Sequence, residues 1–344
     1  LIDLNLLIKR DYYKPFVYPK AYEFWDMQDS VHWRRTEINL NEDLSDFKFK
    51  MNKNDRDLIG GILKGFTQAE VLVGDYWRHV ARLFPHPEIA MMASCFSHFE
   101  GIHQDNYSLL NTTLGLEDFQ AFMQDETTKN KLDFLVGKIE NIHFSEAELY
   151  ILKNSPLNVP TSLQQKLVDL ATSIAIFSAF TEGTIIFSSF IILFAYSRSP
   201  YDMLKGTSKI VEFSIRDENI HSSAGCWLFN ELCKEFPWLK EMAKESILKA
   251  ALQVNHLEGK FVQNLFSSNE ISPISLQQLE NFIQVRINLK LKELGYEEIF
   301  ESNKELTQQT DWFYQLTSGR RHTDFFAATV SEYTKKDITK DELW

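Results

Sequence analysis

Between residues 173 and 197 the chain reads SIAIFSAFTEGTIIFSSFIILFAYS, about 25 mostly apolar residues interrupted by a single charge, Glu182. A run of this length can cross a bilayer as a helix. An ionised carboxylate at its centre is costly in lipid and equally costly in a dry protein core, unless something cationic meets it. Pro160, followed by Thr161 and by Gln164 three residues on, reads as a capping box opening a helix over 161–196, which Pro200 closes. The segment is therefore read as the fully buried central helix of a large bundle rather than as a membrane span. Such a helix requires cationic partners for Glu182 elsewhere in the chain.

The composition agrees with a large helical core. The chain has 344 residues, 44% apolar and 13% aromatic with 27 Phe, enough for one large domain or two ordinary ones. Gly (13) and Pro (9) are scarce and no alternating strand pattern stands out, so the expected class is all-α. A net charge of −12 without a basic stripe argues against nucleic-acid and anionic-membrane partners. Cys95, Cys226 and Cys233 are odd in number and form no Cys-x-x-Cys, which fits buried thiols in a reducing cytoplasm. The start, LIDLN, has neither the basic end nor the apolar run of a signal peptide, and its lack of Met suggests missing upstream sequence.

Local signals divide the rest. Residues 1–20 form an extended arm with Pro15 and Pro19, followed by a helix over 21–33 and an acidic connection over 34–47. Asn54 is the expected cap of a long helix reaching 83, stopped by Pro85, and Pro87 opens the next, which ends near Gly115. Shorter helices are expected over 117–154, then long ones over 204–236, 238–267 and 275–294. The helical domain spans 21–318, and the charged segment 319–344, without an apolar face, reads as a flexible tail.

The chemistry lies in Glu-x-x-His, which occurs as Glu100/His103, Glu140/His143 and Glu218/His221. On a helix, residues three apart share a face. Four-helix bundles build dinuclear iron or manganese sites from two such pairs and two lone Glu. Glu70 precedes Glu100 by 30 residues and Glu182 precedes Glu218 by 36, so lone and paired ligands alternate twice. Glu140 and His143 have no place in that rhythm, and their helix is soon interrupted by Asn154 and Pro156, so they are read as polar residues that bind no metal. Four carboxylates with two imidazoles suit iron or manganese, and the absence of thiolate ligands argues against structural zinc.

The segments FTQAE (66–70), EGIHQDNYSLL (100–110), TEG (181–183) and RDENIH (216–221) resemble the metal-binding helices of the class I ribonucleotide reductase small (β) subunit, over roughly residues 15–295. The resemblance implies a ferritin-like helical bundle with a dinuclear site held by Glu70, Glu100, His103, Glu182, Glu218 and His221. It places Tyr107, four residues after His103, at the family's radical tyrosine. It also makes Trp33 and Asp217 radical-relay residues and Tyr333 a relay tyrosine of the tail. Glu70 stands where the family usually has Asp, as in its manganese-using subclasses. Two manganese ions are the favoured cofactor, with Mn/Fe or Fe/Fe as alternatives. The implied role is to generate an oxidant and pass it to a large catalytic (α) subunit that reduces ribonucleoside diphosphates, with a homodimer as the expected assembly. The cysteines fit this division, because Cys226 and Cys233 make no redox pair and GGILKGF (60–66) lacks the phosphate-loop Lys-Ser/Thr. The rivals are a di-iron or manganese oxidase or oxygenase of the same fold, and iron storage.

Overall fold

Proline and capping residues mark out most of the helices in the computed structural model, which describes residues 6–116, 138–155, 158–267 and 273–318. They run α1 Pro19–Asp29, α2 Asn41–Ser45, α3 Lys53–Leu83, α4 Pro87–Leu114, α5 Glu146–Asn154, α6 Thr161–Ser197, α7 Lys205–Glu235, α8 Leu239–Ser267, α9 Leu276–Glu293 and α10 Lys304–Ser318. No strand occurs among the described residues. The fold is an all-α bundle. Pro87 occupies the first turn of α4, and Gly115 ends it with φ 73°, in the left-handed region that only glycine enters without strain. The short link from Leu83 to Pro87 folds α4 back along α3, and these two helices make the most extensive pairing in the bundle.

The apolar helix α6 is walled by α7, α8 and α9, and its second half also touches α3. Its most hydropathic 18-residue window is 94% buried within the protein, so this surface is consumed by the core. Its middle, Phe177–Ile185, winds as a wider π-helix, every residue of which is buried. Such segments recur where a helix must re-aim a side chain, and this one carries Glu182.

Several boundaries differ from the sequence expectation, the first of them because a tertiary partner overrides a local signal. Helix α1 ends at Asp29, so Trp33 lies beyond it in the connection, with its ring buried. The acidic stretch after it is more than a link. Buried Asp43 accepts hydrogen bonds from the Gly206 and Thr207 amides (2.9 and 2.6 Å), and Asp46 accepts one from Leu204 (3.0 Å). Together they satisfy and neutralise the N-terminus of α7.

Asn52, not Asn54, caps α3 by accepting from the Asp55 amide. No capping box forms at Thr161, because Pro160 takes the cap position and Gln164 donates instead to the Val159 carbonyl at 2.8 Å. Beyond the expected helices, α10 packs against α9. Cys226 and Cys233 are buried, Cys95 is only half-buried, and all three thiols are free. The tail over 319–344, with Tyr333, lies outside the described residues, as do 117–137 of the region expected to hold short helices.

Candidate metal centre

Four helices deliver six ionisable side chains to one point. Helix α3 brings Glu70, α4 brings Glu100 and His103, the π segment of α6 brings Glu182, and α7 brings Glu218 and His221. All six are at least 96% buried, so the expense of desolvating four carboxylates must be met locally. The ligand-type atoms fall into two overlapping groups, each within 4.8 Å: Glu70, Glu100, His103 and Glu218, then Glu100, Glu182, Glu218 and His221. Glu100 and Glu218 belong to both. Each group is thus one lone Glu and one His closed by two shared carboxylates.

His103 Nδ1 faces the cluster, 3.1 Å from both Glu100 and Glu218 and 3.8 Å from Glu70. Its other nitrogen, Nε2, lies 3.1 Å from Asp217 Oδ2. That bond orients the ring and leaves Nδ1 directed at the carboxylates. On the opposite side His221 Nδ1 lies 2.7 Å from Glu100 Oε1 and 3.9 Å from Glu182 and Glu218. The His221 ring is set by packing, with Phe96 4.2 Å and Trp77 6.0 Å away between centroids.

The electrostatics are those of an overloaded acidic pocket. Burial, reinforced by the Glu100 charge, pushes the Glu70 and Glu218 carboxyls up to about 8. Glu182 is raised well above the usual carboxylate range by burial, then by Glu218 and Glu100. Burial acts in the same upward sense on Glu100, but the His103 and His221 imidazoles outweigh it and hold this carboxyl below the usual range. His103, against its own burial, is raised well above 6.5 by Glu100 and by bonds to Asp217, Glu100 and Glu218.

Glu100 Oε1, Glu182 Oε2, Glu218 Oε2 and His221 Nδ1 are buried without a hydrogen bond of acceptable geometry. Orphaned acceptors converging from three helices, with Glu70 of α3 beside them, are what a pair of cations would satisfy, so the residues fit a dinuclear centre. Oxygen with imidazole donors, and no thiolate, suits iron or manganese.

The other expected site residues surround this cluster. Trp33 Nε1 donates to Asp217 Oδ2 at 2.7 Å, the same oxygen that meets His103. Tyr107, fully buried beside Phe66, donates its hydroxyl to Ser214 Oγ at 2.8 Å. Burial, then the Glu70 charge, raises the Tyr107 hydroxyl well above 10. His143 is exposed and belongs to neither ligand group; the Glu140 side chain is outside the described residues.

Three neighbours were not anticipated. Trp77 Nε1 donates to Glu182 Oε1 at 2.5 Å, Gln28 Nε2 donates to Asp217 Oδ1 at 3.0 Å, and Ser214 receives Tyr107. Trp77 stands two helical turns after Glu70, and Ser214 one turn before Glu218, so helical periodicity could have found both.

A family model described as ribonucleotide reductase, small chain, matches residues 10–308. This chain belongs to the ribonucleotide reductase small-chain family. A probable ribonucleoside-diphosphate reductase small subunit of Invertebrate iridescent virus 6 is 30% identical, covering 99% of each chain. One from Invertebrate iridescent virus 3 is also 30% identical, over 99% of this chain and 89% of that one. Among solved structures, the ribonucleotide reductase R2 subunit from Clostridium botulinum superposes with TM-score 0.68 at 20% identity, covering 86% of this chain and 88% of that one. Membership in the small-chain family implies a large-subunit partner. It does not favour the oxidase, oxygenase and iron-storage readings.

The pocket's charge makes a prediction for the metal-free small subunit. Glu70 and Glu218, raised from 4.5 to about 8, bind protons more tightly when folded than when unfolded. Stability therefore falls as pH rises from about 4.5 to about 8. Glu100, shifted downward, titrates below that window, and His103, shifted upward, adds the same sign at its upper end. In chelator, the melting temperature should fall steadily between about pH 5 and 8, and Mn(II) should raise it most at the alkaline end. A flat or rising profile in chelator contradicts this electrostatic picture.

Proposed function

We propose that this small subunit holds a dinuclear metal centre, with two manganese ions favoured, and uses it to generate and store the oxidant that its large subunit needs to reduce ribonucleoside diphosphates. The observation that carries the proposal is the sharing of Glu100 and Glu218 between two cation-sized groups, each closed by its own Glu and His. When bound, the metal pair supplies the one-electron oxidising equivalent. Glu70, in the position where the resembled family usually has Asp, supports the manganese assignment, with Mn/Fe and Fe/Fe as the alternatives.

The chain's own residues provide the route outward. Asp217 Oδ2 accepts from Trp33 Nε1 and faces His103 Nε2, so one carboxylate oxygen joins the proposed relay tryptophan to a proposed ligand. An electron drawn from Trp33 toward the site leaves the Nε1 proton already in a hydrogen bond to Asp217 Oδ2, with nitrogen and oxygen 2.7 Å apart. Gln28 on the other Asp217 oxygen keeps that carboxylate in place. The phenyl-rich walls exclude water and stray reductants.

Tyr107 is placed differently. Its proton faces Ser214, a hydroxyl that is a weak proton acceptor, and burial keeps the phenol protonated. Oxidising Tyr107 requires losing that proton, so its setting supports storage of the oxidising equivalent on the metals. Tyr333 and the tail over 319–344 are proposed to complete the relay and to dock on the large subunit. A cytoplasmic homodimer is the proposed assembly.

Two substitutions test the ligand set. His221→Ala should lower metal stoichiometry and lose nucleotide reduction together, and His143→Ala should alter neither. The reverse pattern, by metal analysis and assay with the large subunit, removes the assignment.

A second experiment separates the two stores of oxidant. Tyr107→Phe should retain substantial nucleotide reduction with the large subunit, whereas Trp33→Phe should stop it. A tyrosyl EPR signal in active wild-type protein that vanishes together with activity in Tyr107→Phe defeats storage on the metals.

A further inference from the structure

The π segment that presents Glu182 is held by a buried cation that takes no direct part in the proposed ligand set. Arg286 of α9 is 1% exposed, and among the described residues no carboxylate pairs with it. Its Nε and Nη2 both donate to the carbonyl of Gly183, at 2.9 and 2.5 Å. Its guanidinium carbon sits 3.7 Å from the centroid of the Phe187 ring, one turn further along α6, and the Tyr314 hydroxyl lies beside it. A guanidinium placed in a dry core without a counter-charge is expensive. Here both directed hydrogen bonds are spent on one backbone atom, the carbonyl oxygen of the residue that immediately follows Glu182.

That placement matches what a π segment needs. Widening the helix disturbs the regular ladder, and buried carbonyls then require other donors. Three such donors are in place: Thr184 Oγ1 to Ala179 O at 2.9 Å, Ser222 Oγ to Ser178 O at 2.5 Å, and Arg286 to Gly183 O. The approach of α7 and α9 that brings these donors in also demands glycine at 183. A Cβ there would come within 2.6 Å of Ser222 Oγ and 2.7 Å of Lys290 Cε. Trp77 then fixes the carboxylate end of the neighbouring Glu182 through its Oε1.

We infer that Arg286 is a positioning residue for Glu182: by pinning the Gly183 carbonyl and clasping Phe187, it locks the π register that aims the Glu182 carboxylate at the His221 side of the cluster. This inference rests on the dinuclear reading above. It assigns Arg286 to one half of the centre only, since its bonds and ring contact hold α6, whereas Glu70 and His103 come from α3 and α4. A lysine at this position keeps the charge but cannot fork onto one carbonyl, so Arg286→Lys is not conservative here.

The test is a Mn(II) titration of full-length protein by calorimetry and EPR, with far-UV circular dichroism as the fold control. Wild-type protein should bind two ions per chain. In Arg286→Gln one of them should weaken by on the order of 10- to 100-fold, a usual effect of losing a group that orients a ligand. Arg286→Lys should weaken the same ion by less. The effect of Arg286→Gln should persist in a Glu70→Ala background and disappear in a Glu182→Ala background, where there is no carboxylate left to aim. Unchanged binding in Arg286→Gln, equal weakening of both ions, or loss of the helical signal in both Arg286 variants overturns the inference, the last by making Arg286 a determinant of the fold. Wild-type protein binding fewer than two ions would instead remove the dinuclear reading on which the inference depends.

Discussion

Everything in this bundle answers to the desolvation of four carboxylates in a helical core. Glu70, Glu100, Glu182 and Glu218 are all nearly inaccessible, and two imidazoles cannot balance them. Stripping water from one ionised carboxylate costs several kcal/mol even after relaxation, so without cations the pocket resolves the conflict by holding protons. This is why three of the four carboxyls are displaced upward and only Glu100, flanked by both imidazoles, is displaced downward. Two divalent cations bound there would replace those protons, and the same strain that weakens the empty bundle would become affinity for metal. Stability and function are in this sense one quantity.

The architecture distributes that demand over four helices whose ends are independently secured. Asp43 and Asp46 fasten the start of α7, which carries Asp217, Glu218 and His221 on its interior. Arg10, Val17 and Tyr18 of the N-terminal segment converge on Glu88 at the start of α4. That contact ties the approach to α1, and so Gln28 and Trp33, to the helix that carries Glu100 and His103. The Trp33–Asp217 pair proposed as the relay and the cluster are therefore anchored to the same helices. Asp217 and Glu218 are neighbours in sequence but face opposite ways, one toward Trp33 and the other into the shared pocket.

Much of this is legible in the sequence because its signals are local. Pro85, Pro87, Gly115, Pro160 and Pro200 bracket long helices without help from the rest of the fold. Glu-x-x-His spacing and the recurrence of lone Glu in apolar helices single out the six residues that the structure brings together. What escaped depends on distant partners. The burial of Trp33 outside α1 follows from its bond to Asp217, 184 positions away. The role of Asp43 and Asp46 exists only because α7 begins beside them, and a run of acidic residues reads locally as a solvated link. The π segment and the arginine that holds it leave no periodic mark, since an Arg on an amphipathic helix is ordinarily a surface residue. The Thr161 box failed for a smaller reason: Pro160 already occupies the cap position, and the chain needed only one.

The central claim is that the shared Glu100 and Glu218 make one site for two metals rather than a buried acid cluster with no ion. Anomalous diffraction from crystals grown with Mn(II) tests it most directly. The account predicts two anomalous peaks between α3, α4, α6 and α7, one beside Glu70 and His103, the other beside Glu182 and His221, with Glu100 and Glu218 reaching both. A single peak, or none at this cluster in metal-replete crystals, would contradict it.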